Sequence, residues 1–285
     1  NINTTRRDIA GFGIQTAAVA AGGRTGNSGP FAQSNASEEY DGSSWTSGNN
    51  TQTTAGTRGA AGILTAGLVC GGEASPKAQS EEYDGTSYTE GDDLNVGRYG
   101  NTATFGSQTA AVTAGGYSTA RDDAAEEYNG TSWTNATNMP AARYEPGGFG
   151  ILTAGVVVAG DNADGTATLN TSLEYDGTNW TAGGNTLINI RSASSSGVST
   201  NALIYSGSTP PGGAATTHAS GYDGTSFSTR PSMATARYGT GGLALNSTST
   251  AGLASGGYSG TASLNATEEF TGETGALNLK TITDS

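Results

Sequence analysis

The chain has 285 residues, 46 of them glycine, and a formal net charge of −13 at pH 7. Such an acidic protein repels nucleic-acid phosphates and anionic membrane surfaces, so we expect no nucleic-acid partner. No run approaches the roughly 20 apolar residues of a membrane span, so we expect no membrane insertion. A single cysteine, Cys70, excludes an intramolecular disulfide, and its apolar surroundings predict a small buried strand residue. The first residue, Asn1, suggests a processed form or a segment of a longer protein.

One short phrase recurs along the chain. It reads YDGSSWT at 40–46, YDGTSYT at 83–89, YNGTSWT at 128–134, YDGTNWT at 175–181 and YDGTSFS at 222–228, and EEFTGET continues the series at Phe270. The leading aromatic residues are 43, 45, 47, 47 and 48 residues apart. A near-constant period of this length is typical of repeat architectures such as propellers.

Two further landmarks follow the same period. A doublet of small residues closes an apolar run in each repeat: Gly22-Gly23, Gly71-Gly72, Gly115-Gly116, Ala159-Gly160, Ser206-Gly207 and Gly256-Gly257. An arginine precedes each of these runs: Arg7, Arg58, Arg98, Arg143, Arg191 and Arg237. Three landmarks in one order, repeated six times, indicate six copies of one structural unit.

Each unit reads as four short strands. In the third unit these are RYGNTATFG, AAVTAGG, AAEEY and TSWTNA, with Asn-Gly as a two-residue hairpin turn between the last two. A sheet of this size cannot bury its faces alone, so the units must pack against one another. The prediction is an all-β, six-bladed propeller of four-stranded antiparallel blades that occupies residues 1–285 as one domain. The predicted blades are 6–57, 58–97, 98–142, 143–190, 191–236 and 237–285.

Over essentially its whole length the chain resembles kelch-repeat proteins. The resemblance is carried by the doublets, by the aromatic residue before the hairpin turn, by a second aromatic residue after it, and by the linker MPAAR at 139–143. It implies blade-to-blade packing of Gly23, Gly72, Gly116, Gly257, Tyr40, Trp45, Tyr83, Tyr88, Tyr128, Trp133, Tyr175, Trp180, Tyr222, Phe227 and Phe270. Repeats four and five weaken the doublet, and GALNLKTITDS at 275–285 replaces the second aromatic region of repeat six, so we expect looser packing late in the chain.

Acidic residues flank the recurring phrase. We predict them to be solvated edges of outer strands that discourage edge-to-edge association, with a divalent-ion site as the alternative. They are Glu38, Glu39, Asp41, Glu81, Glu82, Asp84, Glu126, Glu127, Glu174, Asp176, Asp223, Glu268 and Glu269.

Catalytic motifs are not evident. His218 is the single histidine, which cannot supply a two-histidine copper site or a zinc site, and no nucleophile motif accompanies it. The recurring phrase resembles a sialidase aspartate box only superficially, because its Asp and Gly are adjacent. DNADGT at 161–166 lacks the acid spacing of a calcium loop. We therefore predict no enzyme activity, no cofactor and no metal.

Binding residues are expected in the variable segments between second and third strands, because loops carry function on a repeated scaffold. The kelch resemblance places these segments on the same face as the loops that join successive blades. The predicted binding candidates there are Arg24, Phe31, Lys77, Tyr117, Arg121, Asp122, Asp123, Asp161, His218 and Tyr258.

Composition also suggests a source. The Thr-, Ser-, Gly- and Ala-rich, lysine-poor chain resembles kelch-like proteins of marine tailed bacteriophages. That resemblance implies a virion or extracellular structural protein, multimeric by analogy, that binds virion neighbours or a host-surface receptor. One alternative is a carbohydrate-binding propeller, which clustered loop-face aromatic residues would favour, although few are evident. Another is a glycan-processing enzyme of sialidase type, for which the required residues are lacking.

Overall fold

The protein is described by a computed structural model that covers residues 1–27, 31–210, 212–243 and 248–272. Among these residues, no helix is long and apolar enough to cross a lipid bilayer. The regular structure consists of short strands. In the first three repeats these are β1 (Ala10–Ile14), β2 (Ala17–Ala21), β3 (Arg24–Thr25), β4 (Ala32–Gln33), β5 (Ser37–Tyr40), β6 (Trp45–Ser47), β7 (Gly59–Ile63), β8 (Ala66–Cys70), β9 (Ser80–Tyr83), β10 (Tyr88–Glu90), β11 (Ala103–Ser107), β12 (Ala110–Ala114), β13 (Ala125–Tyr128) and β14 (Trp133–Asn135).

The remaining repeats continue the same pattern. Their strands are β15 (Gly147–Ile151), β16 (Ala154–Val158), β17 (Ser172–Tyr175), β18 (Trp180–Ala182), β19 (Ser194–Val198), β20 (Asn201–Tyr205), β21 (Ser208–Thr209), β22 (Ala214–Ala215), β23 (Ala219–Tyr222), β24 (Phe227–Thr229), β25 (Ala251–Ser255) and β26 (Thr267–Thr271).

Five antiparallel four-stranded sheets form blades 1 to 5. Their strand orders are β1-β2-β5-β6, β7-β8-β9-β10, β11-β12-β13-β14, β15-β16-β17-β18 and β19-β20-β23-β24. Two minor hairpins, β3-β4 and β21-β22, lie in the segments between second and third strands of blades 1 and 5. The first strands of adjacent blades contact each other, so they line the propeller axis.

Within the described residues the number of four-stranded blades is five, not the predicted six. The last repeat contributes the two-stranded sheet β25-β26, which lies between blade 5 and blade 1. On one side the Tyr205 hydroxyl donates to the Leu253 carbonyl, and on the other the Trp45 indole N–H donates to Thr267. The two other strands predicted for this repeat, including the segment 275–285, fall largely outside the described residues.

The hydrophobic core lies between neighbouring blades. Phe105 and Val112 of blade 3, for example, pack against Val157 and Tyr175 of blade 4. Such packing needs small partners: a Cβ added to Gly155 would lie 2.0 Å from the Phe105 ring. Within each blade the two aromatic residues that flank the hairpin turn contact each other, with ring centroids 4.5 to 5.0 Å apart.

The hairpin turn has four residues rather than the predicted two. Tyr40 pairs directly with Trp45, and the Asp41 carboxylate between them accepts the backbone N–H groups of Ser43 and Ser44, each at 2.8 Å. Those bonds, that from Ser44 foremost, lower the pKa of Asp41 to about 2. Gly42 (φ 91°) lets this turn, between the third and fourth strands, close over Thr16 in the turn between the first and second strands. Both turns therefore lie on one face of the propeller. The opposite face is here called the loop face.

The prediction that the third-strand glutamates are solvated is wrong for the first glutamate of each Glu-Glu pair. The first glutamate is buried with an arginine of its own blade: Arg98 Nη2 donates to Glu126 at 2.6 Å, and both side chains have 0% exposure. The same carboxylate accepts the linker N–H groups of Asn95 and Val96. Three further pairs repeat this arrangement: Arg6–Glu38, Arg58–Glu81 and Arg237–Glu268.

The second glutamate joins neighbouring blades. It accepts a hydrogen bond from the tyrosine hydroxyl of the next blade in five pairs: Tyr83–Glu39, Tyr128–Glu82, Tyr175–Glu127, Tyr222–Glu174 and Tyr40–Glu269. The hydrogen bond that Tyr40 donates to Glu269 raises the pKa of Tyr40 to about 12. At the remaining junction both partners are replaced together, since Gly221 stands at the glutamate position and Phe270 at the tyrosine position.

The six landmark arginines of the sequence do not all lie at equivalent positions in the structure. Backbone bonds from the second glycine of each doublet identify equivalent positions, and these are Arg6, Ala55, Arg98, Arg143, Ile190 and Arg237. Arg6, not Arg7, is therefore the structural arginine of repeat one, and Arg58 reaches its glutamate from three residues further along. In repeat five the position is Ile190, and Arg191 lies one residue beyond it.

The buried pair Arg98–Glu126 provides a test of the blade interior. Glu126→Ser should lower the free energy of unfolding by about 3–5 kcal/mol, because it leaves a buried guanidinium unpaired. The double variant Arg98→Ile with Glu126→Ser imitates Ile190 and Ser220 of blade 5, and should lose less. Denaturant unfolding of the three proteins measures this. If the double variant were less stable than Glu126→Ser alone, the unpaired guanidinium of Arg98 would not be the cause of the lower free energy of unfolding.

The junction of Gly221 and Phe270 offers the converse test. Gly221→Glu combined with Phe270→Tyr should restore the missing inter-blade bond and add about 1 kcal/mol to the free energy of unfolding. Neither single variant should do so, since each lacks the other partner. A double-mutant cycle by chemical unfolding measures the coupling. Strictly additive effects would show that this junction is not equivalent to the other five.

Candidate binding site at the propeller mouth

Six residues form a ring around the axis at the loop face. Each has a left-handed backbone with φ between 45° and 62°: Asp8, Thr57, Asn101, Glu145, Ser192 and Gly239. Backbone N–H groups donate from one member to its neighbour at five steps of the ring: Thr57 to Asp8, Asn101 to Thr57, Ser192 to Glu145, Gly239 to Ser192 and Asp8 to Gly239. Left-handed non-glycine residues are strained, and persist only where the surroundings determine them. Here the inter-blade bonds do so.

A second set of residues, here called the mouth rim, surrounds this axial ring. In five repeats the residue before the axial position bridges to the residue after the small doublet, and in repeat three the bridging residue lies two positions before it. The six bridged pairs are Arg7–Arg24, Gly56–Glu73, Tyr99–Tyr117, Tyr144–Asp161, Arg191–Ser208 and Tyr238–Tyr258. The turns on the opposite face repeat one phrase, whereas the rim pairs differ chemically in nearly every repeat.

One side of the mouth carries a charged cluster from blades 1 and 2. Asp8 Oδ2 lies 3.3 Å from Arg24 Nη1 and 3.8 Å from Arg7 Nε, and Arg24 also pairs with Glu73. Gln33 donates to the same Glu73 carboxylate at 2.6 Å. Burial raises the pKa of Asp8, and the two arginines oppose that rise only in part.

The other side carries a second charged cluster, from blades 3 to 5. Asp161 Oδ2 accepts from Arg191 Nη1 at 2.7 Å and lies 3.5 Å from Arg121 Nη2. Its Oδ1 accepts the Thr168 hydroxyl at 2.8 Å. Glu145 lies 3.7 Å from Arg191 Nε, and burial raises the pKa of this carboxyl despite the arginine and a bond from Ser192.

Aromatic rings hold several of these cations. The Arg7 guanidinium lies 3.9 Å from the Phe31 centroid and 4.2 Å from that of Tyr258. Arg121 lies 5.3 Å from the Tyr144 centroid, and Lys77 lies 4.5 Å from that of Tyr99. Cation–π contacts of this kind orient a charge without neutralising it. The guanidinium groups therefore present fixed donors at the mouth.

Nine of the ten arginines of the chain divide between two roles, and Arg230, the tenth, bonds to Ser228 and Thr229 beside β24. Five lie inside the blades: Arg6, Arg58, Arg98, Arg143 and Arg237. Four lie at the mouth, where they meet the four acids Asp8, Glu73, Glu145 and Asp161. The mouth is therefore formally balanced on a chain whose net charge is −13. This concentration of cations distinguishes it from the rest of the surface.

Most of the predicted binding candidates come together here. Those at the mouth or in contact with it are Arg24, Phe31, Lys77, Tyr117, Arg121, Asp161 and Tyr258. Asp122 instead caps a turn by accepting the Ala124 N–H, and the Asp123 carboxylate accepts from Asn138. His218 contacts Ser220 at 3.2 Å beside the third strand of blade 5.

Sequence reasoning missed other members of the mouth. Arg7 and Arg191 were assigned to the structural landmark, and Asp8, Glu145, Tyr99, Tyr144 and Tyr238 were not singled out. A usable signal existed in the repeated dipeptide RY at 98–99, 143–144 and 237–238, because the residue after each structural arginine lies at the rim. The exceptions Arg7 and Arg191 occupy that same position.

The side chains at the mouth supply guanidinium donors, carboxylate acceptors and aromatic faces. Among the described residues, no three His, Cys, Asp or Glu side chains converge to hold a metal ion. Cys70 is buried in β8, and burial raises the pKa of its thiol to about 11. Below the axial ring the axis holds a cavity of only about 80 Å³, bordered by small residues such as Gly59 and Thr102. A ligand too large for this cavity would therefore have to bind at the mouth.

Comparison with known proteins identifies the fold but no family. No family model matches the chain, and no curated protein matches its sequence. A solved structure described as "Structure of YjhT" is similar, with a TM-score of 0.74 and 12% identity over 93% of this chain and 95% of that one. At this identity the likeness shows the propeller fold alone. The similarity to kelch repeats stays a resemblance.

Glu145 gives a pH-dependent test of the mouth. The pKa of Glu145 is higher in the folded protein than in the unfolded chain, so the protonated side chain favours folding. This contribution is complete at a pH below the pKa that Glu145 has in the unfolded chain. It is lost as pH rises through the pKa that Glu145 has in the folded protein. Glu145→Gln should therefore be more stable than the unsubstituted protein at pH 7, and the difference should shrink towards pH 4. Denaturant unfolding across this range measures it.

Asp41 provides a control of opposite sign. The charged Asp41 carboxylate, whose pKa is about 2, stabilises the fold at neutral pH. This contribution is lost as pH falls through that pKa and the carboxylate becomes protonated. Asp41→Asn should therefore lower stability at pH 7, with the difference diminishing in acid. If Glu145→Gln and Asp41→Asn shifted stability at pH 7 in the same direction, desolvation of Glu145 at the mouth would not be the cause of the effect of Glu145→Gln.

Proposed function

We propose that this chain is a non-enzymatic binding module of a virion or another extracellular appendage, which engages a protein neighbour or a host-surface receptor through its loop face. The observation that carries the proposal is the mouth rim. Repeats that share one turn on the opposite face carry a different rim pair in nearly every blade. A scaffold that needed only stability would have no use for this asymmetry.

The residue types at the mouth support this role. Arginine and tyrosine are the residues that dominate binding energy in protein interfaces, together with tryptophan. Four arginines and the half-buried tyrosines Tyr99, Tyr117, Tyr144, Tyr238 and Tyr258 surround one opening. Their orientation is set before a partner arrives, because salt bridges and ring contacts already hold them. Preorganisation of this kind reduces the entropy lost on binding.

A non-catalytic role is supported by how the ionisable groups are used. The mouth carboxylates are engaged by arginines, and His218 lies away from the mouth beside Ser220. A sialidase-type reaction is thus the least supported of the alternatives.

We also propose that the propeller has six kelch-like units, the last of which is built around β25 and β26. Two observations support six. The axial ring contains Gly239, which precedes β25, as its sixth member. The Tyr40–Glu269 bond repeats, between β26 and blade 1, the contact seen at other blade junctions.

Carbohydrate binding is a second candidate function, favoured by a specific observation. The sequence showed few loop-face aromatic residues, but the fold brings together Phe31 and the five mouth tyrosines around the rim. Flat aromatic faces beside fixed polar groups are what saccharide recognition requires.

Binding assays with matched variants test the proposal. The labelled propeller would be applied to a glycan array, with and without calcium, and to intact bacterial cells. Arg24→Ala and Tyr258→Ala at the mouth should reduce binding about tenfold or more, the equivalent of one lost charged or aromatic contact. Thr131→Ala, an exposed turn residue on the opposite face, should leave it unchanged. Equal losses in all three variants would place the binding surface elsewhere.

A further inference from the structure

A groove of about 660 Å³ lies beside the mouth, between the loops of blades 4 and 5. Asp161, Thr166 and Thr168 line it from blade 4, and Asn189 and Arg191 line it from the segment that leads into blade 5. The volume falls within the range of about 300–1,000 Å³ that is typical of ligand sites. Its position next to Tyr144 and Glu145 makes it continuous with the mouth rim.

Arg191 is in this groove because repeat five departs from the structural pattern. The position that holds a buried arginine in four other repeats is Ile190 here, which is fully buried. The glutamate that would pair with it is replaced by Ser220, also buried. The fold therefore does not need Arg191 for the blade interior. Its side chain is 32% exposed at the rim.

The groove walls hold Arg191 in a defined orientation. Asp161, whose side chain is 6% exposed, accepts from Nη1 at 2.7 Å, and Ser208 accepts from Nε at 3.3 Å. Nη2 lies towards Gly213, where an added Cβ would be 3.2 Å away. Within the part of the chain that the structure describes, Nη2 has no hydrogen-bond acceptor. It is placed to donate to a molecule in the groove.

A second glycine keeps the opposite wall close to a guanidinium. A Cβ at Gly165 would lie 2.1 Å from Arg121 Nη1, so only glycine lets the loop approach Arg121 this closely. Arg121 and Arg191 share the carboxylate of Asp161, and Glu145 lies beside Arg191. Two positive and two negative groups therefore meet at the inner end of the groove.

These features define the class of ligand. The balanced charges favour neither an anion nor a cation, and the lining contains no large apolar side chain for an apolar ligand. The groove offers the hydroxyl oxygens of Thr166 and Thr168 as acceptors, since their protons are donated to Asp164 and Asp161. The exposed amide of Asn189 can both donate and accept, and the directed Nη2 of Arg191 donates. Together such groups can donate to and accept from hydroxyl groups. We propose that the groove binds a neutral oligosaccharide, a deepening that rests on the proposed binding function of the loop face.

Saturation-transfer NMR and calorimetry with neutral trisaccharides of glucose, galactose and mannose provide the test. At least one should bind, and Asn189→Ala and Arg191→Leu should each weaken it about tenfold or more. Asn189 is exposed, and its side chain makes no hydrogen bond to the residues that the structure describes, so its variant should fold normally. Asn185→Ala, an exposed asparagine in the same linker but outside the groove, should bind as the unsubstituted protein does.

Tyr258→Ala, measured in parallel on the same saccharides and on the array and cells, separates this inference from the proposed function. If no neutral trisaccharide binds, or binding falls in Tyr258→Ala but not in Asn189→Ala, the groove proposal is overturned while the mouth can still be the binding surface. If the saccharides bind through Asn189 and Arg191 while mouth variants leave array and cell binding unchanged, the groove proposal stands and the role assigned to the mouth fails.

Discussion

The paired glutamates of the third strands are the constraint on which this propeller depends. The first glutamate neutralises an arginine inside its own blade, and the second accepts a tyrosine hydroxyl from the next blade. A small sheet cannot bury both faces alone, so the inter-blade bond and the aromatic core beside it make the ring a single cooperative unit. The acidity of the protein thus arises partly from residues that serve its interior.

Two departures from the repeat come in compensated pairs. Ile190 with Ser220 replaces an arginine and its glutamate, and Gly221 with Phe270 replaces a glutamate and its tyrosine. In repeat two, Arg58 reaches the shared glutamate position from a later point in the chain. A buried charge or hydroxyl without its partner is strongly destabilising, which favours replacing both members together. Repeat four is an exception, since Arg143 stays buried while Leu173 occupies the glutamate position, and its guanidinium donates instead to the Ala159 and Thr171 carbonyls and to the Thr171 hydroxyl. Where the pattern is broken, a residue becomes available at the surface, as Arg191 does.

The loop face shows what the repeated scaffold supports. Its axial ring keeps six residues in one left-handed backbone conformation, so the rim residues project from similar places whatever their chemistry. Stable geometry with variable side chains is a favourable basis for recognition, since the positions of binding groups are set independently of their identity. Buried carboxylates with raised pKa values at this opening fit the general finding that binding sites are less stable than the cores that carry them.

The sequence by itself determined the all-β repeat architecture, because the recurring turn, the small doublet and the paired aromatic residues are local signals with a fixed period. It also identified most variable-loop residues that reach the mouth, such as Arg24, Arg121 and Tyr258, since function concentrates in the segments that the repeat leaves free. It misassigned Glu126 and its equivalents to solvent, and it grouped Arg191 with the arginines of the repeat landmark. Only the tertiary structure decided these points: whether a charge is buried depends on a partner tens of residues away, as with Arg98 and Glu126, or on a residue of another blade, as with Arg191 and Asp161. Spacing along the chain records the period of such contacts but not their partners.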